Sequence, residues 1–330
     1  MAMPLLQVID QRTYFETGRG LLRAVDGVDF ELHQGRTLGV VGESGCGKTV
    51  LARSIMGLLP SNTRVGEGSR IIFDGRDLGA LDEKSLRALR GSEIAMIFQD
   101  PMTSLNPVLT VGKQIGETLI RHHGLSRHAA RGRAVELLRD VGIPQPEVRV
   151  DQYPHQLSGG MRQRVAIAIA LSCQPRLLIA DEPTTALDVT VQADILDLLR
   201  RQQIERDMSM ILITHDMGVV AGRSDEVAVM YAGRIVEWAE TPELFRNTRM
   251  PYTAALLNSI PRVDDPPHRR IDAIAGRPPD LIHPPKGCLF APRCGHVEQR
   301  CRRHSPPLQL ASDGTHAQAC WFPQSVGTTP

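Results

Sequence analysis

The stretch Gly42-Glu43-Ser44-Gly45-Cys46-Gly47-Lys48-Thr49 constrains this chain more than any other, because few folds can use it. It follows the apolar run Thr37-Leu38-Gly39-Val40-Val41 and opens a segment of helical character near Val50. In that setting G-x-x-x-x-G-K-[ST] makes a phosphate cradle. Backbone N–H groups surround the anion, a lysine ammonium meets its charge and a hydroxyl ligates Mg²⁺. Lys48 and Thr49 fill the last two roles. The glycines are expected where the loop bends back with positive φ and where an inward Cβ would occupy the phosphate's space.

At 330 residues the chain has room for a large domain and a smaller one, and 42% hydrophobic residues suffice for a packed core. A formal net charge of +1 supplies no field that points to nucleic acid. Met1 to Asp10 lack the basic and apolar segments of a signal peptide, and no run of roughly 18 apolar residues occurs, so a cytoplasmic protein is expected.

Residues Leu5 to Val41 alternate as strands do, with a turn at Gln34-Gly35, and Ile71-Ile72-Phe73 before Asp74-Gly75 reads as a hairpin end. An antiparallel β layer is expected from these. Tyr14 and Phe15 lie in it, suited either to stacking on a purine or to packing a small sheet. From Val111 to Ala170 the pattern is helical, as with Ala134, Leu137, Leu138 and Val141, and Pro144 and Pro146 interrupt it. An inserted helical lobe is expected over about 100–172. Pro261 to Pro285 read as a linker or a loosely wrapped extension.

Polar residues gather where buried strands end. Ile94-Ala95-Met96-Ile97-Phe98 leads into Gln99, Leu177-Leu178-Ile179-Ala180 into Asp181-Glu182, and Met210-Ile211-Leu212-Ile213 into Thr214-His215. In a parallel α/β sheet such ends face the ligand crevice. Adjacent carboxylates there carry a desolvation cost that a cation or ligand offsets. Asp181 is therefore assigned to Mg²⁺, Glu182 to the attacking water and His215 to a γ-phosphate. Leu157-Ser158-Gly159-Gly160-Met161 opens another helix with accessible N–H groups, an end that attracts an anion.

Together these pieces resemble an ATP-binding cassette (ABC) ATPase from about Leu5 to Phe245. Walker A is Gly42 to Thr49, the Q-loop Gln99, the signature Leu157 to Met161, Walker B Leu177 to Glu182, the D-loop Ala186 to Asp188 and the H-loop His215. The resemblance is closer to the dipeptide/oligopeptide permease branch, through Met96 to Pro107, Tyr153 to Gly160, Ala180 to Thr190 and the tail with Pro251-Tyr252-Thr253. Cys46 stands where many relatives have serine, which suggests sensitivity to thiol reagents. The implied fold is α/β, a P-loop NTPase with a RecA-like parallel sheet core, an antiparallel β layer and a helical lobe. The implied division is a nucleotide-binding domain at 1–245 and a Cys-containing C-terminal extension at 246–330.

The resemblance implies ATP and Mg²⁺ as cofactors. Nucleotide contacts fall on Tyr14, Phe15, Gly42, Glu43, Ser44, Gly45, Cys46, Gly47, Lys48, Thr49, Gln99, Asp181, Glu182 and His215; Mg²⁺ falls to Thr49, Gln99 and Asp181; and catalysis falls to Lys48, Gln99, Glu182 and His215. Leu157, Ser158, Gly159, Gly160 and Met161 would cap the nucleotide of a second ATPase subunit, a paralogue in this branch. Further implied partners are two transmembrane permease subunits and an extracytoplasmic peptide-binding protein, with the chain peripheral on the cytoplasmic face of the inner membrane. DNA- and ribosome-acting ABC ATPases carry a long coiled-coil insertion or a second cassette, and this sequence has neither.

Of six cysteines, Cys288, Cys294, Cys301 and Cys320 crowd into the tail as C-x5-C-x6-C-x18-C. Without a C-x-x-C pair they fit a zinc ribbon poorly. A [4Fe–4S] cluster, which the dipeptide branch implies, is the expectation, with Arg293, Arg302, Arg303 and Lys286 offsetting its charge. Structural Zn²⁺ recruiting His296 or His316, and unligated thiols, are the alternatives.

Overall fold

The structure is a computed structural model, and it describes residues 3–100, 104–185, 187–260, 274–311 and 314–324. Residues 101–103, Ala186 of the D-loop, 261–273 of the expected linker and 325–330 lie outside the described residues. The chain forms two compact units, one from His33–Arg36 and Ala80–Ile213, the other from Met3–Leu32, Thr37–Gly79 and Thr214–Pro330.

The second of these begins with β1 (Leu6–Thr17) and β2 (Gly20–Leu32), long antiparallel partners. With β3 (Thr37–Val41) the chain leaves that layer: all five residues are buried, and the strand runs parallel to a later one. The antiparallel layer expected over Leu5 to Val41 therefore ends at Leu32. The reason is visible in the residues, since after Thr37 the run Leu38-Gly39-Val40-Val41 carries no polar side chain, as suits a strand covered on both faces. Helix α1 (Lys48–Ile55) follows the glycine loop. The antiparallel sheet is completed by β4 (Thr63–Val65), β5 (Arg70–Phe73) and β6 (Arg76–Asp77), in the order β2-β1-β5-β6 with β4 beside β1. Asp74 and Gly75, at φ 49° and 75°, make the expected tight turn between β5 and β6.

The other unit holds α2 (Glu83–Leu89) and β7 (Ile94–Ile97), and further along the helices α3 (Val111–His123), α4 (Arg127–Asp140), α5 (Pro146–Arg149) and α6 (Gly159–Leu171). Local chemistry sets their ends. Gly124 closes α3 at φ 65°, Ser126 caps α4 by accepting from the Ala129 N–H, and Pro146 starts α5 where its missing N–H costs nothing. Strand β8 (Leu177–Asp181) runs parallel to β7 and to β9 (Ser209–Thr214), with α7 (Val189–Glu205) as the crossover. Every residue of β7, β8 and β9 is buried. Each large aliphatic side chain there contributes about 1.5–3 kcal/mol.

The chain returns to the former unit through α8 (Met217–Ala221), β10 (Glu226–Tyr231) and β11 (Arg234–Glu240), a hairpin whose β10 is the parallel partner of β3. After α9 (Thr241–Arg246) and α10 (Pro251–Asn258), the tail contributes α11 (Gln299–Arg303), β12 (Gln309–Leu310) and β13 (His316–Gln318). Strand β13 pairs with β11, and inside that seam His316 Nε2 lies 2.8 Å from Glu237 Oε1, both side chains fully buried. Among the described residues no helix is long and apolar enough to cross a membrane.

Candidate functional site

The glycine loop links β3 to α1. At Gly42 a Cβ would lie 2.2 Å from the Met230 carbonyl oxygen, and at Gly47 2.3 Å from that of Ala24, with φ at 157° and 108°. The positive φ expected of these glycines is present, and the protein's own backbone adds a steric demand for glycine at Gly42 and Gly47. Only Gly45 of the three faces open space. The Lys48 ammonium, 4% exposed, folds back and donates to the carbonyl oxygens of Gly42 at 2.7 Å and Glu43 at 3.0 Å. Thr49 follows in the first turn of α1. Cys46 is buried, and burial pushes its thiol up despite the nearby Lys48, so the expected sensitivity to thiol reagents does not fit this site.

Also in this unit, Tyr14 and Phe15 are half-buried on β1. The Tyr14 hydroxyl donates to Asp26 Oδ1 at 2.5 Å, and the Arg234 guanidinium donates to Asp26 Oδ2. Burial alone would raise the Asp26 carboxyl, but these donors hold it below its ordinary value. His215 is exposed in the turn after β9.

In the other unit, β8 delivers Asp181, 1% exposed, and then Glu182. Glu182 has φ 47°, left-handed for a residue with a side chain, and its N–H donates to the Ile213 carbonyl at 2.9 Å. That conformation turns the carboxylate toward two donors: Gln99 Nε2 at 3.0 Å and Thr185 Oγ1 at 2.9 Å, both to Oε2. Gln99 and Glu182, each expected at a strand end, are thus brought into contact. Thr185 was missed as a functional residue, although its place three residues beyond Glu182 at a strand end is the signal that identifies it.

Helix α6 begins as the signature pattern implies. The Ser158 hydroxyl accepts from the Met161 N–H at 3.3 Å, Leu157 is buried beneath, and Ser158 and Gly159 are exposed. A Cβ on Gly160 would come within 2.9 Å of a Val191 methyl, so a larger residue there would force that side chain to move. In the D-loop, Asp188 caps α7 by accepting from Val191.

Cys288, Cys294, Cys301 and Cys320 line one small cavity with His296, Phe290 and Trp321. The Cys288 N–H donates to the Cys301 carbonyl at 2.7 Å, an approach so close that a Cβ on Gly287 would meet that oxygen at 2.2 Å. Burial pushes the thiols of Cys288 and Cys294 up, and that of Cys320 to about 11. Among the described residues no three His, Cys, Asp or Glu side chains are spaced to hold a single metal ion. Two expectations need correction. Arg293 is bound to Glu43 rather than left to offset a cluster's charge, and His316 is committed to Glu237 and does not line the cavity.

Comparison with known proteins gives these halves a common frame. Residues 25–185 match the ABC transporter family, and residues 236–301 match the oligopeptide/dipeptide transporter C-terminal region. The chain is 51% identical to the dipeptide transport ATP-binding protein DppD of Bacillus subtilis, over 96% of this chain and 94% of that one. It is 49% identical to the oligopeptide transport ATP-binding protein OppD of Salmonella typhimurium, over 97% and 94%. A solved dimeric ATP-binding cassette in a post-hydrolysis state with ADP and Pi superposes with a TM-score of 0.65 at 26% identity, covering 72% of this chain and 98% of that one. The chain therefore belongs to the ABC transporter ATP-binding proteins, in the group that carries the oligopeptide/dipeptide transporter C-terminal region.

Proposed function

We propose that this chain energises the import of dipeptides or oligopeptides by hydrolysing ATP at a site shared with a second ATPase subunit. What carries the reading is Glu182: a carboxylate at the end of a wholly buried strand, in a strained backbone conformation, with Gln99 and Thr185 both donating to one of its oxygens. That arrangement orients a general base toward an attacking water. Nucleotide phosphates would draw the Lys48 ammonium from the Gly42 and Glu43 carbonyls, exchanging neutral acceptors for charged ones. Thr49, Gln99 and Asp181 offer the hard oxygen donors that suit Mg²⁺. When bound, the ion neutralises charge on the transferring phosphoryl group. His215 is assigned to the γ-phosphate, and Tyr14 and Phe15 to the base.

The exposed Ser158-Gly159 end of α6 would serve the partner's nucleotide, so that binding closes the pair and hydrolysis reopens it. The partner is proposed to be a paralogue, with both subunits on the cytoplasmic face of two permease subunits supplied by an extracytoplasmic peptide-binding protein. Residues 1–245 would form the cassette, with its helical lobe toward the permease, and 246–330 the extension.

For the tail cysteines we propose a [4Fe–4S] cluster. Four cysteine sulfurs around one cavity are soft donors that fit iron–sulfur or zinc chemistry, and the lack of a C-x-x-C pair fits a zinc ribbon poorly. Iron and sulfide analysis of anaerobically purified protein tests this; a colourless, zinc-loaded sample contradicts it. For the hydrolytic reading, Glu182→Gln is expected to retain Mg-ATP binding and lose hydrolysis by at least about 100-fold. Hydrolysis at the parental rate would remove Glu182 from the role.

A further inference from the structure

The tail grips the phosphate loop itself. Arg293 places Nη1 2.6 Å and Nη2 2.8 Å from the two carboxylate oxygens of Glu43, the second residue of the loop. This fork is fixed before any ligand arrives. Arg293 Nε donates to the Ala275 carbonyl at 2.9 Å, Nη1 also reaches the Tyr231 hydroxyl at 3.3 Å, and the guanidinium lies over the rings of Tyr231 and Phe290 at 5.8 and 6.0 Å. Only 2% of the side chain is exposed. From α10, the Tyr252 hydroxyl accepts the Glu43 backbone N–H at 2.9 Å, and Tyr252 packs on Tyr231 and Phe290 with ring centroids 4.5 and 5.3 Å apart. Glu43 is thus held by its N–H and its carboxylate from the tail and by its carbonyl from Lys48.

A carboxylate in a loop that cradles phosphate is an electrostatic liability. Left alone, it would repel the ligand and compete for Lys48. A guanidinium with both forks on that carboxylate cancels the charge and pins the loop in one conformation, which an ammonium cannot do with the same geometry. Hydrogen bonding to Glu43 raises the Arg293 pKa and outweighs burial, so the guanidinium keeps its charge.

We propose that Arg293 is a positioning residue for nucleotide binding: by neutralising and orienting Glu43, the C-terminal extension sets the affinity of the phosphate loop for a nucleoside triphosphate. This rests on the reading of Gly42 to Thr49 as the nucleotide site. The dependence is on charge at one position, which separates it from a general role in docking the tail.

The test is titration of the full-length chain with a fluorescent ATP analogue and Mg²⁺. Arg293→Met is expected to raise Kd about tenfold, and adding Glu43→Gln to it is expected to bring Kd back to within about threefold of the parent, because the uncompensated charge is gone. Arg300→Ala removes a cation–π contact with Trp321 in the same extension, 3.7 Å from the ring centroid, and is expected to leave Kd unchanged. A parental Kd for Arg293→Met, or a double variant no tighter than the single one, overturns the proposal. If Arg293→Met does not fold, Arg293→Lys makes the same comparison, with about threefold weaker binding expected and a parental Kd contradicting it. Lys48→Ala separates the two levels. Retained affinity there defeats the nucleotide site itself, whereas lost affinity there with a parental Kd in Arg293→Met defeats only the role of Arg293.

Discussion

Gln99 Nε2 donates to Glu182 Oε2 at 3.0 Å, across 83 positions of sequence, and Thr185 Oγ1 donates to the same oxygen at 2.9 Å. Two donors on one oxygen restrict the orientation of the carboxylate. Thr185→Val keeps shape and removes one donor. It is expected to lower kcat about tenfold with little change in the Kd for Mg-ATP, measured by steady-state hydrolysis and direct titration. A rise in Kd with unchanged kcat would place Thr185 in binding rather than in orientation.

Cys46 offers a test by chemistry rather than rate. Its thiol is buried and pushed up by desolvation, so the thiolate that reagents attack is scarce. Timed alkylation of the folded chain followed by peptide mapping is expected to label Cys46 only when denaturant is added. Rapid labelling in the native chain would mean that the loop opens on the timescale of the reagent.

Asp26 should make stability depend on acid. Burial raises its carboxyl, but hydrogen bonds from Tyr14 and Arg234 more than offset this and leave it lower in the folded chain than in the unfolded one. Its contribution is therefore present above the ordinary carboxylate range and disappears as pH falls through the folded value. Asp26→Asn is expected to lower Tm near neutral pH, with the gap to the parent narrowing below about pH 4 in a series of thermal melts. A gap that widens on acidification would contradict the sign.

How much of this was legible beforehand follows from the range of each interaction. The phosphate loop, the strands ending in Gln99, Asp181-Glu182 and His215, and the cap at Ser158 are local patterns, and each is read within a few residues. The positive φ of Glu182 is not local, because it accompanies a hydrogen bond from its N–H to Ile213 on the neighbouring strand. The departure of Thr37–Val41 from the antiparallel layer depends on its partner being β10, nearly 190 residues later in the register Leu38 with Glu226. Glu43 and Arg293 are separated by 250 positions, and nothing in either neighbourhood announces the other. The positive φ at Gly42 and Gly47 was legible in the loop pattern, but the carbonyls of Met230 and Ala24 that also exclude a Cβ there come from distant segments.

The account turns on a nucleotide shared between subunits, and Ser158 tests it most directly. Its hydroxyl caps α6 from an exposed position, so Ser158→Arg costs about 1 kcal/mol of helix stability and places a bulky charge where the partner's phosphates would sit. The decisive measurement is Mg-ATP affinity of the isolated chain beside ATP turnover of the assembled transporter. The account predicts a Kd within about twofold of the parent and turnover reduced about 100-fold. An equal loss in both settings, or parental turnover in the assembly, would contradict it.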